Sequence, residues 1–158
     1  MGYTTDFDGC FKIDRPLDHG TFNLINGLAN TRRMKRDLDT KYGVEGEFYY
    51  KPDSNDFGQE NDDNIIDYNM PPKTQPSLWL QWIVLDDHQT IEWDGGEKFY
   101  EYIEWIEYLI NKILGPRGYK VNGAVEWCGE DPDDKGKIEI INNLVKIYIG
   151  EISYKLVK

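Results

Sequence analysis

The chain has 158 residues, with 29 acidic and 18 basic side chains and a net charge of -11. Its mean hydropathy is -0.68 and it holds no run of apolar residues long enough to cross a bilayer, so a membrane-spanning helix is excluded. An apolar share of 39% and an aromatic share of 14% exclude a disordered polyelectrolyte, and the length predicts one domain over 1–158. Cys10 and Cys128 form no CxxC, so they read as small apolar fillers in a reduced compartment. The opening residues have no basic n-region, so no secretory signal is expected and the chain reads as cytoplasmic.

Phe7, Gly9, Phe11 and Ile13 alternate with polar neighbours, which predicts a strand ended by Pro16. Asp18 is a suitable N-cap for a helix carrying Phe22, Ile25, Leu28 and Ala29 at helical spacing. The basic run Thr31-Arg32-Arg33-Met34-Lys35-Arg36 follows. It is either a solvated helix end or a clamp on acidic chain, and Arg32 and Arg33 are candidate anion contacts. Residues 43–77 read as a long irregular loop, punctuated by glycine and proline and loaded with aromatics such as Phe48, Tyr49, Phe57 and Tyr68. Loops of that length commonly carry function.

Leu78 to Leu85 predicts a strand, Asp86-Asp87-His88-Gln89 a turn, and Thr90 to Asp94 the returning strand, with Trp82 opposite Trp93. After Gly95-Gly96 comes a long helix with Phe99, Tyr102, Ile103, Ile106, Leu109, Ile110 and Ile113 on one face, stopped at Gly115-Pro116. Tyr119 to Trp127 alternates as a further strand, and residues 137–149 predict a hairpin turning at Asn142-Asn143. The expected class is α+β: a ferredoxin-like βαββαβ antiparallel sheet with an added C-terminal hairpin and the long irregular loop. Right-handed crossovers would set the first strand beside the third and parallel to the second. Both helices would then back one face and leave the other open.

The acidic surplus lies in the middle of the chain, because residues 43–72 hold one base and eight acids and residues 73–114 hold three bases and eight acids. Such a field repels a phosphate backbone, so direct nucleic-acid binding is not expected. A basic partner protein or a small polar ligand suits it better, and plain solubility also accounts for it.

No dinucleotide or phosphate loop, no nucleophile elbow and no zinc signature occurs. The stretch Asp131-Pro132-Asp133-Asp134-Lys135-Gly136 opens like a calcium loop. Lys135 at a ligand position and Asn142 in place of the closing glutamate make it an acidic hairpin loop instead. The predicted topology places Asp14, His19, Asp86 and His88 at one sheet end, where carboxylates and imidazoles would suit a metal-dependent phosphodiesterase or phosphoryl-transfer enzyme. Asp at an N-cap and Asp in a turn are also ordinary structural choices. No metal or cofactor is otherwise implied. On the open face, Asp6, Asp8, Trp79, Gln81, Glu92, Asp94 and Glu126 would form a recognition surface unless the long loop covers it.

Thr31-Arg32-Arg33-Met34, Asp67-Tyr68-Asn69 with Pro71-Pro72, Gln75-Pro76 with Leu78-Trp79 and Gln81-Trp82, Ile91 to Tyr100 and Gly129 to Asp134 carry a resemblance. They resemble a family of small bacterial and phage-encoded proteins. The resemblance implies an accessory or counter-defence setting and transfers no catalytic role. The expectation is therefore a non-catalytic acidic binding protein recognising a basic host protein or a small polar ligand, with Arg32, Arg33, Tyr68, Trp79, Gln81, Glu92 and Asp94 as contacts.

Overall fold

A computed structural model describes residues 2–37 and 63–158. In chain order the elements are β1 (Asp6–Ile13), α1 (His19–Ala29), β2 (Lys35–Arg36), β3 (Ile65–Asp67), β4 (Trp82–Val84), β5 (Thr90–Trp93), α2 (Tyr102–Tyr108) with a π-helical continuation (Leu109–Leu114), β6 (Val121–Cys128), β7 (Lys135–Ile141) and β8 (Leu144–Ile149). Six strands make one antiparallel sheet in the order β4-β5-β1-β6-β7-β8, and β2 and β3 pair in a second, two-stranded sheet.

This corrects the ferredoxin-like βαββαβ expectation. The described chain is mostly sheet, with two helices and eight strands. Two features displace the expected plan. The basic run after α1 does not prolong the helix but turns into β2, which pairs with β3 across the segment expected to be loop. The expected long helix is also cut short: Lys98 and Glu101 adopt φ of 58° and 57°, so α2 begins only at Tyr102. From the loop expected over 43–77, residues up to 62, with Phe48, Tyr49, Tyr50 and Phe57, lie outside the described residues.

Local chemistry sets several elements as expected. Asp18 caps α1, accepting from the Thr21 amide at 2.8 Å, which satisfies one of the orphan donors of the first turn. The β4–β5 hairpin has Trp82 opposite Trp93 and Val84 opposite Ile91. Asn142 and Asn143, at φ of 47° and 71°, turn β7 into β8 with the left-handed geometry a tight hairpin needs. Between β1 and β6 the backbones approach so closely that a Cβ on Gly123, at φ 136°, would meet the Cys10 carbonyl at 2.6 Å; only glycine fits there.

Alternation then decides the faces. Phe11 and Ile13 of β1, Val121 and Val125 of β6, and Ile138 and Ile140 of β7 are buried with Trp82, Val84 and Ile91. Ile25 and Leu28 of α1 and Trp105, Ile106, Leu109 and Ile113 of the second helical segment pack on that same side. Each such side chain contributes about 1.5–3 kcal/mol by leaving water. At one end Phe7 lies 5.0–5.7 Å, ring to ring, from Trp82, Trp93, Phe99 and Tyr102, distances at which aromatic pairs add to burial. The other face presents Asp6, Asp8, Lys12, Ala124, Glu126 and Cys128, all exposed. No helix among the described residues is long and apolar enough to cross a membrane.

Candidate functional site

The segment after α1 is threaded through the molecule by its backbone. The Arg33 amide donates to the Leu78 carbonyl at 2.7 Å and the Lys35 amide to the Met70 carbonyl at 2.8 Å. Between them the Met34 amide donates to the Arg32 carbonyl at 2.9 Å, a three-residue turn centred on Arg33, and Arg32 and Arg33 part company. Arg33 is buried, and its Nε donates to Gln75 Oε1 at 3.1 Å while Gln75 Nε2 donates to the Tyr108 hydroxyl at 2.8 Å. Burial pulls its guanidinium down to about 10. Arg32 is half-buried, donates from Nε to the Tyr68 carbonyl at 3.2 Å and lies 4.4 Å over the Tyr68 ring.

Arg32 lines a groove of about 630 Å³ together with Pro71, Pro76, Leu78, Trp79 and Tyr100, and with Glu97, Lys98 and Glu101 at its charged side. Ser77 anchors the floor: its single hydroxyl proton is shared between the carbonyls of Trp79 and Tyr100, at 3.3 and 3.2 Å, and its oxygen accepts from Trp105 Nε1 at 2.7 Å. The groove is thus tied to the core through a fully buried tryptophan. Both non-glycine residues with left-handed backbone in this region, Lys98 and Glu101, line it. Backbone held in that region is strained, and such residues cluster at binding sites. Burial, and then the neighbouring Glu104 carboxylate, push Glu101 up from the ordinary carboxylate range.

The remaining expected contacts lie elsewhere. Gln81 is 7% exposed; its Nε2 donates to the Glu97 carbonyl at 2.9 Å and its Oε1 has no hydrogen-bond partner among the described residues. Asp94 accepts from the Gly96 amide at 2.7 Å, and partial burial raises its carboxyl above the usual range. Glu92 pairs across the hairpin with Ile83 and is half-buried. So Arg32, Tyr68 and Trp79 come together, whereas Gln81, Glu92 and Asp94 follow the β4–β5 hairpin. The sequence reading missed Leu78, Tyr100, Lys98 and Glu101. Only the mismatch of Tyr100 with the predicted apolar helix face signalled that this stretch is not helical.

On the open face, Asp6, Asp8 and Glu126 line a second hollow of about 500 Å³ with Lys135, Lys137 and Tyr148. The acidic loop is consumed structurally: Asp134 accepts from the Tyr3 hydroxyl at 2.7 Å and from Trp127 Nε1 at 3.0 Å.

At the far sheet end, Asp14 accepts from the Lys120 amide at 2.9 Å and Arg15 Nη1 at 3.2 Å, which hold its carboxyl below the usual range. His88 stacks on Phe22 at 3.9 Å and its Nδ1 lies 3.4 Å from the Leu17 carbonyl. His19 and Asp86 are exposed. Among the described residues no three His, Cys, Asp or Glu side chains gather as a metal ion would require.

No family model matches the chain, and neither a curated protein nor a solved structure matches it. The groove geometry therefore carries the functional reading by itself.

Proposed function

We propose that the chain is a non-catalytic, cytosolic binding protein that takes a small polar ligand in the groove between Arg32 and Trp79. The observation that supports this is Arg32 itself. Tyr68 holds its Nε and covers one face of its guanidinium, while Nη1 and Nη2 have no partner among the described residues. A held guanidinium beside apolar and aromatic walls suits a carboxylate, which it binds through two parallel hydrogen bonds. Glu97 and Glu101 in the same groove suit a cationic group on the same ligand. The net charge of -11 repels simple polyanions. The ligand chemistry this favours is zwitterionic, that of an amino acid or short peptide, free or as the exposed terminus of a host protein. Cys10 and Cys128, both free thiols, suit a reducing compartment. The accessory role beside a phage rests on the sequence resemblance alone.

Calorimetry and thermal-shift titration against free amino acids and dipeptides test the reading. A saturable response that disappears in Arg32→Ala and in Trp79→Ala, with both variants folded, is expected. A flat response across the series for the native chain overturns it.

A further inference from the structure

The sheet has two edges, and they are treated differently. At the β4 edge, Asn26 of α1 bonds both polar groups of Val84, donating from Nδ2 to its carbonyl and accepting at Oδ1 from its amide, each at 3.0 Å. A paired edge is closed to other strands. At the other edge, β8 is the last strand of the sheet, with no further strand paired to it among the described residues. Leu144, Ile147, Tyr148 and Ile149 are all exposed there, Ile149 at 69%. Residues 151–158 run on outside the sheet without a hydrogen bond to the rest of the described chain. Ile152, Tyr154 and Leu156 alternate along them, with Tyr154 exposed at 95% and Leu156 at 88%. That is a strand pattern without a strand partner.

We propose that β8 and its continuation to Leu156 form an interface with a second copy of this chain, pairing antiparallel about a twofold axis at Gly150. The pattern is self-complementary in this register. In antiparallel pairing, directly opposed residues share a face. Leu144 then meets Leu156, Lys146 meets the Tyr154 ring and Tyr148 meets Ile152 on the helix-free face. Ile147 meets Ser153 and Ile149 meets Glu151 on the other. A Lys–Tyr contact of this kind already exists within the chain, where Lys137 Nζ lies 4.7 Å over the Tyr148 ring. Centring the pair one residue later would oppose the two Glu151 carboxylates, a destabilising arrangement. Centring it one residue earlier leaves Leu156 out.

Charge is compatible with this register. Residues 144–158 hold three lysines and one glutamate, so the edge escapes the acidic surplus of the chain, and no two like charges stand directly opposite. The interface is isologous and closes at two copies. It is smaller than the ~20–30 residues a side of a standard interface, so the dimer is expected to dissociate on dilution.

Sedimentation equilibrium and light scattering over a dilution series test this on the full chain. The mass should rise with concentration towards twice the 18.5 kDa of one chain. Truncation after Gly150, and separately Ile149→Asp in the full chain, should hold it at the single-chain mass without changing the thermal midpoint in dilute solution. The double variant Ile147→Cys with Ser153→Cys should form an interchain disulfide on oxidation, because these positions face each other across the axis. A single-chain mass at every concentration overturns the proposal, whether residues 151–158 fold back on β8 or await another partner. A dimer that survives both truncation and Ile149→Asp overturns it equally.

Discussion

Asn26 exchanges two hydrogen bonds with the backbone of Val84, its amide acting as a strand partner for β4 from the side of α1. Val84 is buried, so neither of its groups can turn to water when Asn26 is removed. A buried group left unsatisfied costs roughly 1–3 kcal/mol. Asn26→Ala should therefore lower the urea midpoint by the equivalent of about 2–3 kcal/mol and speed hydrogen exchange at the Val84 amide. Asn23→Ala, at an exposed position of the same helix, should change neither. If both variants unfold alike, the edge is held by apolar packing and not by this amide.

Glu101 enters α2 with φ 57° and no side-chain cap. A left-handed conformation costs a side-chain-bearing residue about 1–2 kcal/mol, and glycine nothing. Glu101→Gly should raise stability by about 1 kcal/mol, and Glu101→Ala should not, since alanine keeps the Cβ that causes the strain. Chemical denaturation of the two variants side by side separates backbone relief from loss of the carboxylate. If the glycine variant weakens ligand binding more than the alanine variant, which loses the same carboxylate, the strain serves to hold the groove in shape.

Opposite pH dependences should appear at the two ends of β5. Asp87 accepts from the Thr90 hydroxyl at 2.5 Å and from the Gln89 and Thr90 amides at 2.8 Å, which hold its carboxyl down at about 2. Its folded value lies below the unfolded ~3.9, so its contribution is complete above about pH 4 and fades as the pH falls towards 2. Asp94 has the reverse sign: its carboxyl is raised by burial, so its contribution is complete in acid and is lost as the pH rises through the folded value. Asp87→Asn should flatten the acid limb of the stability curve. Asp94→Asn keeps an acceptor for the Gly96 amide and should gain stability at neutral pH. Urea midpoints taken between pH 2 and 7 read both, and parallel curves for the two variants would contradict the assignment.

What could be read from the chain tracks how local the determining physics is. The pairing of Trp82 with Trp93 follows from a four-residue turn, because the turn fixes the register and the register fixes the face. The Asp18 cap is decided within three residues. By contrast, β2 spans two residues, Lys35 and Arg36, and no periodicity is visible over two positions; its strand state comes from β3, far along the chain. The start of the expected second helix fails for a related reason. Phe99 has the right spacing for the apolar face and is buried, but it is buried from an irregular approach to α2, and the spacing cannot tell these apart. Of the site, the types of Arg32, Tyr68 and Trp79 were legible as recognition chemistry. Their convergence was not, since it depends on Arg33 and Lys35 bonding to Leu78 and Met70.

The two adjacent arginines should therefore give opposite phenotypes. Arg32→Ala removes a half-buried side chain whose Nε bond to the Tyr68 carbonyl is at the surface, so stability should stay within about 0.5 kcal/mol while zwitterion binding disappears. Arg33→Ala empties a buried position and strips Gln75 Oε1 of its donor, and through Gln75 it loosens the bond to the Tyr108 hydroxyl. Stability should drop by about 2–4 kcal/mol. Arg33→Lys should not restore it, because an ammonium cannot reproduce the planar fork of donors. Any ligand that still binds folded Arg33→Ala should do so with nearly native affinity. If the two variants instead lose binding together and keep native midpoints, both guanidiniums face the ligand and Arg33 is not held in the core by Gln75.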